Sequence, residues 1–201
     1  ALLPLMADPA DEAAMRGAVE RATAVIDEFG DLYDAALLQG QRAKLGLCVA
    51  TPADDEADAA LAADWLELLR SQAADFTLAW RRLAGAAEGN EAPLRSLLAD
   101  HAGLDAWLAR WRARCEADTA RGGPDAKERA RRMRRASPWI IPRNHRVEEV
   151  LAAASDDGDL SPFERMLAAV RRPFDDAPEL APWAEPAPAE GTACYRTFCG
   201  T

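Results

Sequence analysis

The residues with the clearest chemical potential stand at the end of the chain. The last nine residues, ACYRTFCGT, place Cys194 and Cys199 among Tyr195 and Phe198, after a sequence that is otherwise alanine-rich and acidic. A cysteine needs exposure and a thiolate to react, and a chain terminus can provide both. One interpretation of the pair is therefore redox or other thiol chemistry. The alternative is that the aromatic side chains and a thiol simply pack this segment onto the domain.

A strongly basic segment is the second candidate. Positions 121 to 146 hold nine Lys or Arg against Asp125 and Glu128, a formal charge of 9 − 2 = +7. Such a segment can bind an anion or an acidic protein, and the side chains that we single out for this role are Arg131, Arg132, Arg134 and Arg135. The alternative, which we favour, is a solvated helix whose arginines pair with the surplus carboxylates of the chain. No motif of a nucleic-acid-binding module accompanies the segment.

Other chemical motifs are weaker. Glu28-Phe29-Gly30 is similar to the metal-holding triplet of protein kinases, but Phe29 continues the apolar face of a predicted helix and no glycine-rich phosphate loop is present. His101 and His145 lack the spacing of zinc ligands, both to each other and to the cysteines. We therefore predict that these residues have structural roles.

Composition restricts the class of protein. The 201 residues are 49% hydrophobic, which is enough for the core of one domain of moderate size. The formal net charge of -10 disfavours a nucleic-acid partner. No apolar run approaches the roughly 18 residues of a membrane helix, and four scattered cysteines favour a reducing compartment. We expect a soluble cytoplasmic protein without a membrane or nucleic-acid partner. Because ALLPLM lacks an initiator methionine, we also expect that the natural N-terminal part is absent.

The elements that must position these residues are predicted to be helices alone. Strict alternation of apolar and polar residues is absent, and the spacing predicts an all-α fold of about seven to nine helices. A long first helix should begin at Asp8-Pro9 and end near residues 40–46. Its apolar face is predicted to comprise Met15, Val19, Ala22, Ile26, Phe29, Tyr33 and Leu37.

Later segments carry start and stop signals. Asp75 is predicted to cap a helix, and Ser161 and Glu164 are predicted to form a capping box. Tryptophans at helical spacing with leucines are predicted to form the core: Trp65, Trp80, Trp107 and Trp111. Because residues 173–188 contain five prolines, we predict a helical domain at 1–172 and an extended proline-rich tail at 173–201 that ends in the cysteine motif.

The order and spacing of several segments resemble the C-terminal part of the SelO family, also called YdiU or UPF0061. The segments are ALLPLM, RAKLGL (42–47), ADFTLAWRRL (74–83), IIPRNHRVEEVLAAASDDGD (140–159), VRRPFDDAPE (170–179) and the terminal YRTFCGT. The resemblance covers nearly the whole chain. It implies the helical C-terminal part of a kinase-like (pseudokinase) fold in a bacterial protein.

The resemblance also implies an activity. The family transfers AMP from ATP, with Mg or Mn ion, to Ser, Thr or Tyr hydroxyls of substrate proteins. Its catalytic, nucleotide-binding and metal-binding residues belong upstream of Ala1, so we expect no catalytic, cofactor or metal residue in this chain. The chain would support the missing N-terminal kinase-like portion, and Cys199 occupies the family's position for a redox-regulatory cysteine, whereas Cys194 has no such counterpart. The alternative is a non-catalytic interaction module that docks an acidic partner through residues 121–146.

Overall fold

The computed structural model describes residues 3–188, and every regular element in that range is helical, so the predicted all-α class is confirmed. Seven of the helices have ten or more residues, within the range predicted, and three more have only four. No helix among the described residues is long and apolar enough to cross a membrane. The ten helices are α1 (Leu3–Met6), α2 (Glu12–Leu45), α3 (Asp55–Ser71), α4 (Phe76–Ala87), α5 (Ala92–Arg95), α6 (His101–Ala120), α7 (Ala126–Ala136), α8 (Asn144–Asp156), α9 (Ser161–Val170) and α10 (Ala181–Ala184).

The chain divides into two compact units, residues up to 41 and residues from 42 onward. The first contains α1 and most of α2. Helix α2 begins later than predicted, because Asp11 rather than Asp8 accepts hydrogen bonds from the first free N–H groups of the helix, those of Ala13 and Ala14. The end of α2 at Leu45 agrees with the prediction.

The second unit is built around the four predicted tryptophans, which are all buried: Trp65, Trp80, Trp107 and Trp111. The ring centroids of Trp65 and Trp107 lie 4.4 Å apart, which joins α3 to α6. Two of the indoles also form hydrogen bonds to the backbone. Trp107 Nε1 donates to the Leu61 carbonyl at 3.0 Å, and Trp111 Nε1 donates to the Leu45 carbonyl at 2.9 Å. Such bonds satisfy an indole N–H inside an apolar core.

The two predicted caps have different outcomes. Asp75 caps α4, since its side chain accepts a hydrogen bond from the Leu78 N–H at 2.8 Å. The capping box at Ser161 is wrong, because Ser161 is the first residue of α9 and its hydroxyl donates to Asp159 Oδ1 at 2.6 Å. The hydroxyl therefore has another acceptor and does not cap the helix.

The proline-rich segment is not extended throughout. Residues Pro178–Leu180 form a 3-10 turn that leads into α10. Leu180 and Ala184 are buried in a small second cluster with Ile140 and Ala169. The Pro173 carbonyl accepts hydrogen bonds from two successive N–H groups, those of Trp139 and Ile140, at 2.7 and 3.1 Å. The segment is thus part of the second unit up to this point, while the predicted thiols Cys194 and Cys199 lie outside the described residues.

Candidate functional site: the arginine contacts of α4, α6 and α7

Helix α7 carries the arginines that the sequence singled out. Asp125 caps it by accepting a hydrogen bond from the Glu128 N–H at 2.8 Å. One face is buried, with Arg129, Ala130 and Met133 turned towards the core. A helix with apolar residues on one face and arginines on the rest is the arrangement expected of a surface helix.

Three of the four predicted arginines pair with carboxylates of the same chain. Arg131 Nε and Arg132 Nε share Glu128, at 2.5 and 2.7 Å from its two oxygens. Their hydrogen bonds hold the pKa of Glu128 at about 2. Arg134 Nη2 lies 2.5 Å from Oε2 of Glu88, the residue that follows α4, and Arg135 is exposed. The arginines of α7 therefore do not present four uncompensated positive charges.

The same holds for most of the basic segment. Seven of its nine basic side chains form ion pairs with carboxylates of the chain: Arg121, Arg129, Arg131, Arg132, Arg134, Arg143 and Arg146. These contacts fit the interpretation that the arginines neutralise the surplus carboxylates. They lower the positive potential on which an acidic partner would depend.

Arg129 forms a buried ion pair that the sequence did not reveal. Its guanidinium donates to Asp118 Oδ2 at 3.0 Å, and the side chains of both residues are buried. Arg129 Nη1 also donates to the Gly46 carbonyl, and Nη2 donates to Thr119 Oγ1 at 2.9 Å. A buried ion pair needs this kind of full hydrogen bonding to offset its desolvation.

Asp118 extends the contact to the segment after α2. Its Oδ1 accepts hydrogen bonds from the Cys48 and Val49 N–H groups at 3.0 and 2.6 Å. Gly46, just before them, has a φ of +74°, and a Cβ there would lie 2.6 Å from the Arg129 Cγ. The close approach and the backbone conformation both require glycine at this position.

Asp58 is a second buried carboxylate, on α3. It accepts hydrogen bonds from Arg42 Nε at 2.6 Å and from Arg114 Nε at 2.7 Å. Its sequence signal is visible in retrospect, because Asp58 precedes Leu61 and Trp65 by three and seven residues and thus lies on the buried face of the helix. A carboxylate at such a position must have a cationic partner, but the sequence does not say which arginine provides it.

Arg81, on α4, is the third buried contact and was also missed. Its Nη1 donates to the carbonyls of Arg134 and Ser137 at 2.5 and 3.0 Å. Its Nη2 donates to the Phe174 carbonyl at 3.0 Å and lies 2.5 Å from Asp176 Oδ1. Arg81 therefore ties the end of α7 and the start of the proline-rich segment to α4.

Comparison with known proteins identifies the family to which this chain belongs. The family model "Protein adenylyltransferase SelO" matches residues 5–171. The chain belongs to the SelO family. It is similar over its whole length to proteins named "Protein nucleotidyltransferase YdiU": 47% identical to that of Cereibacter sphaeroides, 46% to that of Chromobacterium violaceum and 41% to that of Agrobacterium fabrum.

The SelO-family chain is shorter than these relatives. It covers 37%, 39% and 38% of their respective lengths. It spans about two fifths of a curated relative, so the activity of a whole relative cannot be assigned to these residues by similarity alone. The buried contacts described above all lie within the matched range, with the exception of the partners of Arg81 beyond residue 171.

Two cysteines of the SelO-family chain lie within the described residues. Cys48 is exposed, and Arg132 Nη1 lies 3.4 Å from its Sγ. Cys115 is half-buried beside a cavity of about 610 Å³ that Trp111 also lines. Burial raises the pKa of the Cys115 thiol to about 11, so this side chain is a thiol at neutral pH.

A second cavity, of about 680 Å³, contains a cluster of charged and polar side chains. It is lined by Asp75, Arg143 and His145. Arg143 binds Asp75 through both terminal nitrogens, at 2.7 and 3.1 Å. Burial opposes ionisation of Asp75, but the hydrogen bonds from Arg143 and from the Leu78 N–H outweigh it and lower its pKa. The two charges compensate each other, so the cavity offers no net charge to a ligand.

Side chains that could bind a metal ion are dispersed among the described residues. Within positions 3–188, no three His, Cys, Asp or Glu side chains lie close enough together to hold a metal ion. In particular, neither His101 nor His145 belongs to such a group with the described cysteines.

Proposed function

We propose that this chain is the helical C-terminal region of a SelO-type protein adenylyltransferase, which transfers AMP from ATP to Ser, Thr or Tyr hydroxyls of other proteins. The observation that carries the proposal is the match of the SelO family model over residues 5–171. Relatives that are 41 to 47% identical and are named protein nucleotidyltransferases support the same reaction class.

The role that we propose for this region is to support the catalytic lobe of a kinase-like fold. The buried contacts support this role, because Asp58, Asp118 and Arg81 each connect segments far apart in sequence. Their polar atoms are directed at partners inside the chain. Charged groups engaged in this way stabilise a scaffold, whereas a catalytic carboxylate or arginine must meet a substrate.

ATP and its divalent metal are assigned, in this proposal, to the remaining part of a longer polypeptide. Residues 3–188 provide no metal-binding cluster, and we derive no catalytic step through them. The metal would neutralise the phosphates of ATP when bound. What this chain contributes is the shape and rigidity of the surface on which that part rests.

The proposal includes a regulatory thiol. By the resemblance to the family, Cys199 stands where the family carries its terminal cysteine, and Cys194 precedes it by five residues. We propose that oxidation of Cys199 changes the rate of AMP transfer by the full polypeptide. The chemistry is reversible thiol oxidation by a peroxide or a disulfide, which requires an accessible thiolate.

The decisive experiment uses ATP labelled on either the α- or the γ-phosphate. In the presence of Mg or Mn ion, a polypeptide as long as the curated relatives should transfer the α label to protein hydroxyls and should not transfer the γ label. The 201-residue chain alone should transfer neither. Transfer of the γ label alone would show a protein kinase and would overturn adenylylation. Transfer of the α label by the short chain would overturn the supporting role.

A further inference from the structure

The long helix α2 has an apolar face that is exposed among the described residues, 3–188. The sequence predicts this face from the spacing of Ile26, Phe29, Tyr33 and Leu37, and the helix forms as expected. The face is nevertheless open to solvent: six of its side chains are between 44% and 71% exposed, namely Val25, Ile26, Phe29, Leu32, Tyr33 and Leu37. A contiguous exposed apolar stripe of this kind marks an interaction surface.

The first unit has almost no core of its own. Within residues 3–41, Ala18 is the single buried residue. Helix α2 also carries Gly17, Gly30 and Gly40 in its interior, and each glycine costs about 0.5–1 kcal/mol relative to alanine. Because a helix in water draws most of its stability from packing of its apolar face, α2 needs a partner surface on the stripe.

The charges around the stripe define the chemistry of that partner. Residues 22–41 contain four carboxylates, at Asp27, Glu28, Asp31 and Asp34, and no Lys or Arg. At 100° per residue, Glu28 lies about 40° beyond one edge of the stripe, whereas Asp34 and Asp27 lie about 60° and 80° beyond the other edge. Asp31 lies on the opposite face of the helix. A complementary surface is therefore apolar at its centre and carries Lys or Arg at both edges.

A second copy of this chain does not fit that description. Pairing two α2 stripes would place the Glu28 and Asp34 carboxylates of both copies around the interface, with no cation from residues 22–41 of either copy. Like charges facing each other at an interface oppose association. The remaining part of a longer polypeptide is the other source of surface, and relatives of this chain possess about three fifths of their length beyond the matched part.

We propose that the α2 stripe is the docking face for the remaining part of the longer polypeptide, which binds it with an apolar patch edged by Lys or Arg. This inference rests on the proposed function for the existence of that part. Phe29 and Tyr33 lie near the centre of the stripe, with their rings stacked, and provide the apolar anchors. Glu28 and Asp34 pair with the basic edges and set the register.

Cleavage by chymotrypsin after Tyr33 tests the proposal without any activity assay. Cleavage should be at least tenfold slower in the full-length polypeptide than in the 201-residue chain. In the full-length polypeptide, Ile26→Glu with Phe29→Glu should restore fast cleavage. The control change Asp31→Lys, on the opposite face of the same helix, should leave the protection within about twofold of wild type, because it does not touch the stripe or its edges.

Other outcomes would overturn the docking face while leaving the reaction intact. Equal cleavage rates in the two wild-type proteins would do so, as would protection that survives Ile26→Glu with Phe29→Glu. Sedimentation of the 201-residue chain as a dimer that this change dissociates would identify a second copy as the occupant. Near-ultraviolet circular dichroism of the buried tryptophans shows whether residues 42–188 of each variant remain folded. AMP transfer is measured separately, so loss of adenylylation and loss of docking are distinguishable.

Discussion

The guanidinium of Arg129 donates to Asp118 at 3.0 Å, and both side chains are excluded from solvent. The same carboxylate accepts two N–H groups from residues 48 and 49, so one ion pair joins α6, α7 and the segment after α2. This contact is central to the second unit. Residues 11 apart in sequence provide the pair, and residues about 70 positions away complete its hydrogen bonds.

Removing one partner of this pair should be strongly destabilising. Arg129→Met leaves a buried carboxylate without its cation, for which we expect a loss of about 3–5 kcal/mol in the free energy of unfolding. Urea unfolding followed by circular dichroism measures it. The control is Arg110→Met, which removes an exposed ion pair with Asp64 between α3 and α6 and should cost about 0–1 kcal/mol. Equal losses in the two variants would contradict the central role of the buried pair.

Gly46→Ala should destabilise for two separable reasons. The positive φ costs a side chain about 1–3 kcal/mol, and the new Cβ would collide with the Arg129 side chain, for about 1–3 kcal/mol more. Gly122→Ala isolates the first effect, because Gly122 also has a positive φ but a Cβ there meets nothing within 4 Å. Thermal unfolding of both variants should therefore rank Gly46→Ala as the more damaging. The reverse order would disprove the close approach.

The Asp75–Arg143 pair predicts a pH dependence with a defined sign. The folded-state pKa of Asp75 lies below its ordinary value, so its stabilising contribution is present above about pH 4 and is lost as the pH falls through the folded pKa. In Arg143→Met the pKa of Asp75 should rise because the hydrogen bonds and charge of Arg143 are gone, so the variant should lose stability at pH 7 and fall less steeply in stability on acidification than wild type. Urea unfolding between pH 7 and pH 3 gives the slopes, with Asp75→Asn as the control that should remove the difference. Parallel slopes for wild type and Arg143→Met would refute this assignment.

The described cysteines should differ in reactivity. Cys48 is exposed, whereas burial raises the pKa of Cys115 to about 11, so alkylation at pH 8 should modify Cys48 much faster. Because the folded pKa of Cys115 is raised, its contribution to stability is present below about pH 9 and falls as the pH rises towards 11. Mass spectrometry of the alkylated protein measures both alkylation rates, and Cys115→Ala should abolish only the slow modification. Faster modification of Cys115 would contradict its burial.

The regulatory thiol has its own test in the full-length polypeptide. Mild oxidation should change the rate of AMP transfer in wild type, and Cys199→Ser should remove the response because the oxidisable thiol is gone. Cys48→Ser serves as the matched control, since Cys48 is the exposed thiol within the described residues. A response that survives in Cys199→Ser and disappears in Cys48→Ser would transfer the regulatory role to Cys48.

The sequence by itself determined the elements and the family. The 3.6-residue spacing predicted the helices, including the long α2 and its end near Leu45, because amphipathic periodicity and local signals depend on neighbouring residues alone. It also predicted the burial of the four tryptophans. It misjudged the start of α2 and the role of Ser161, where neighbouring carboxylates compete for the same N–H and O–H groups.

Only the tertiary structure decided which charges meet. Asp58, Asp118 and Arg81 are ordinary charged residues in the sequence, and their burial depends on partners 56, 69 and 93 positions away. The structure also showed that the apolar face of α2 is exposed. The sequence could not reveal this, because a stripe of that kind has the same spacing whether it packs inside the chain or on a partner. Spacing determines the face of a helix, but what covers that face depends on the three-dimensional arrangement of distant segments.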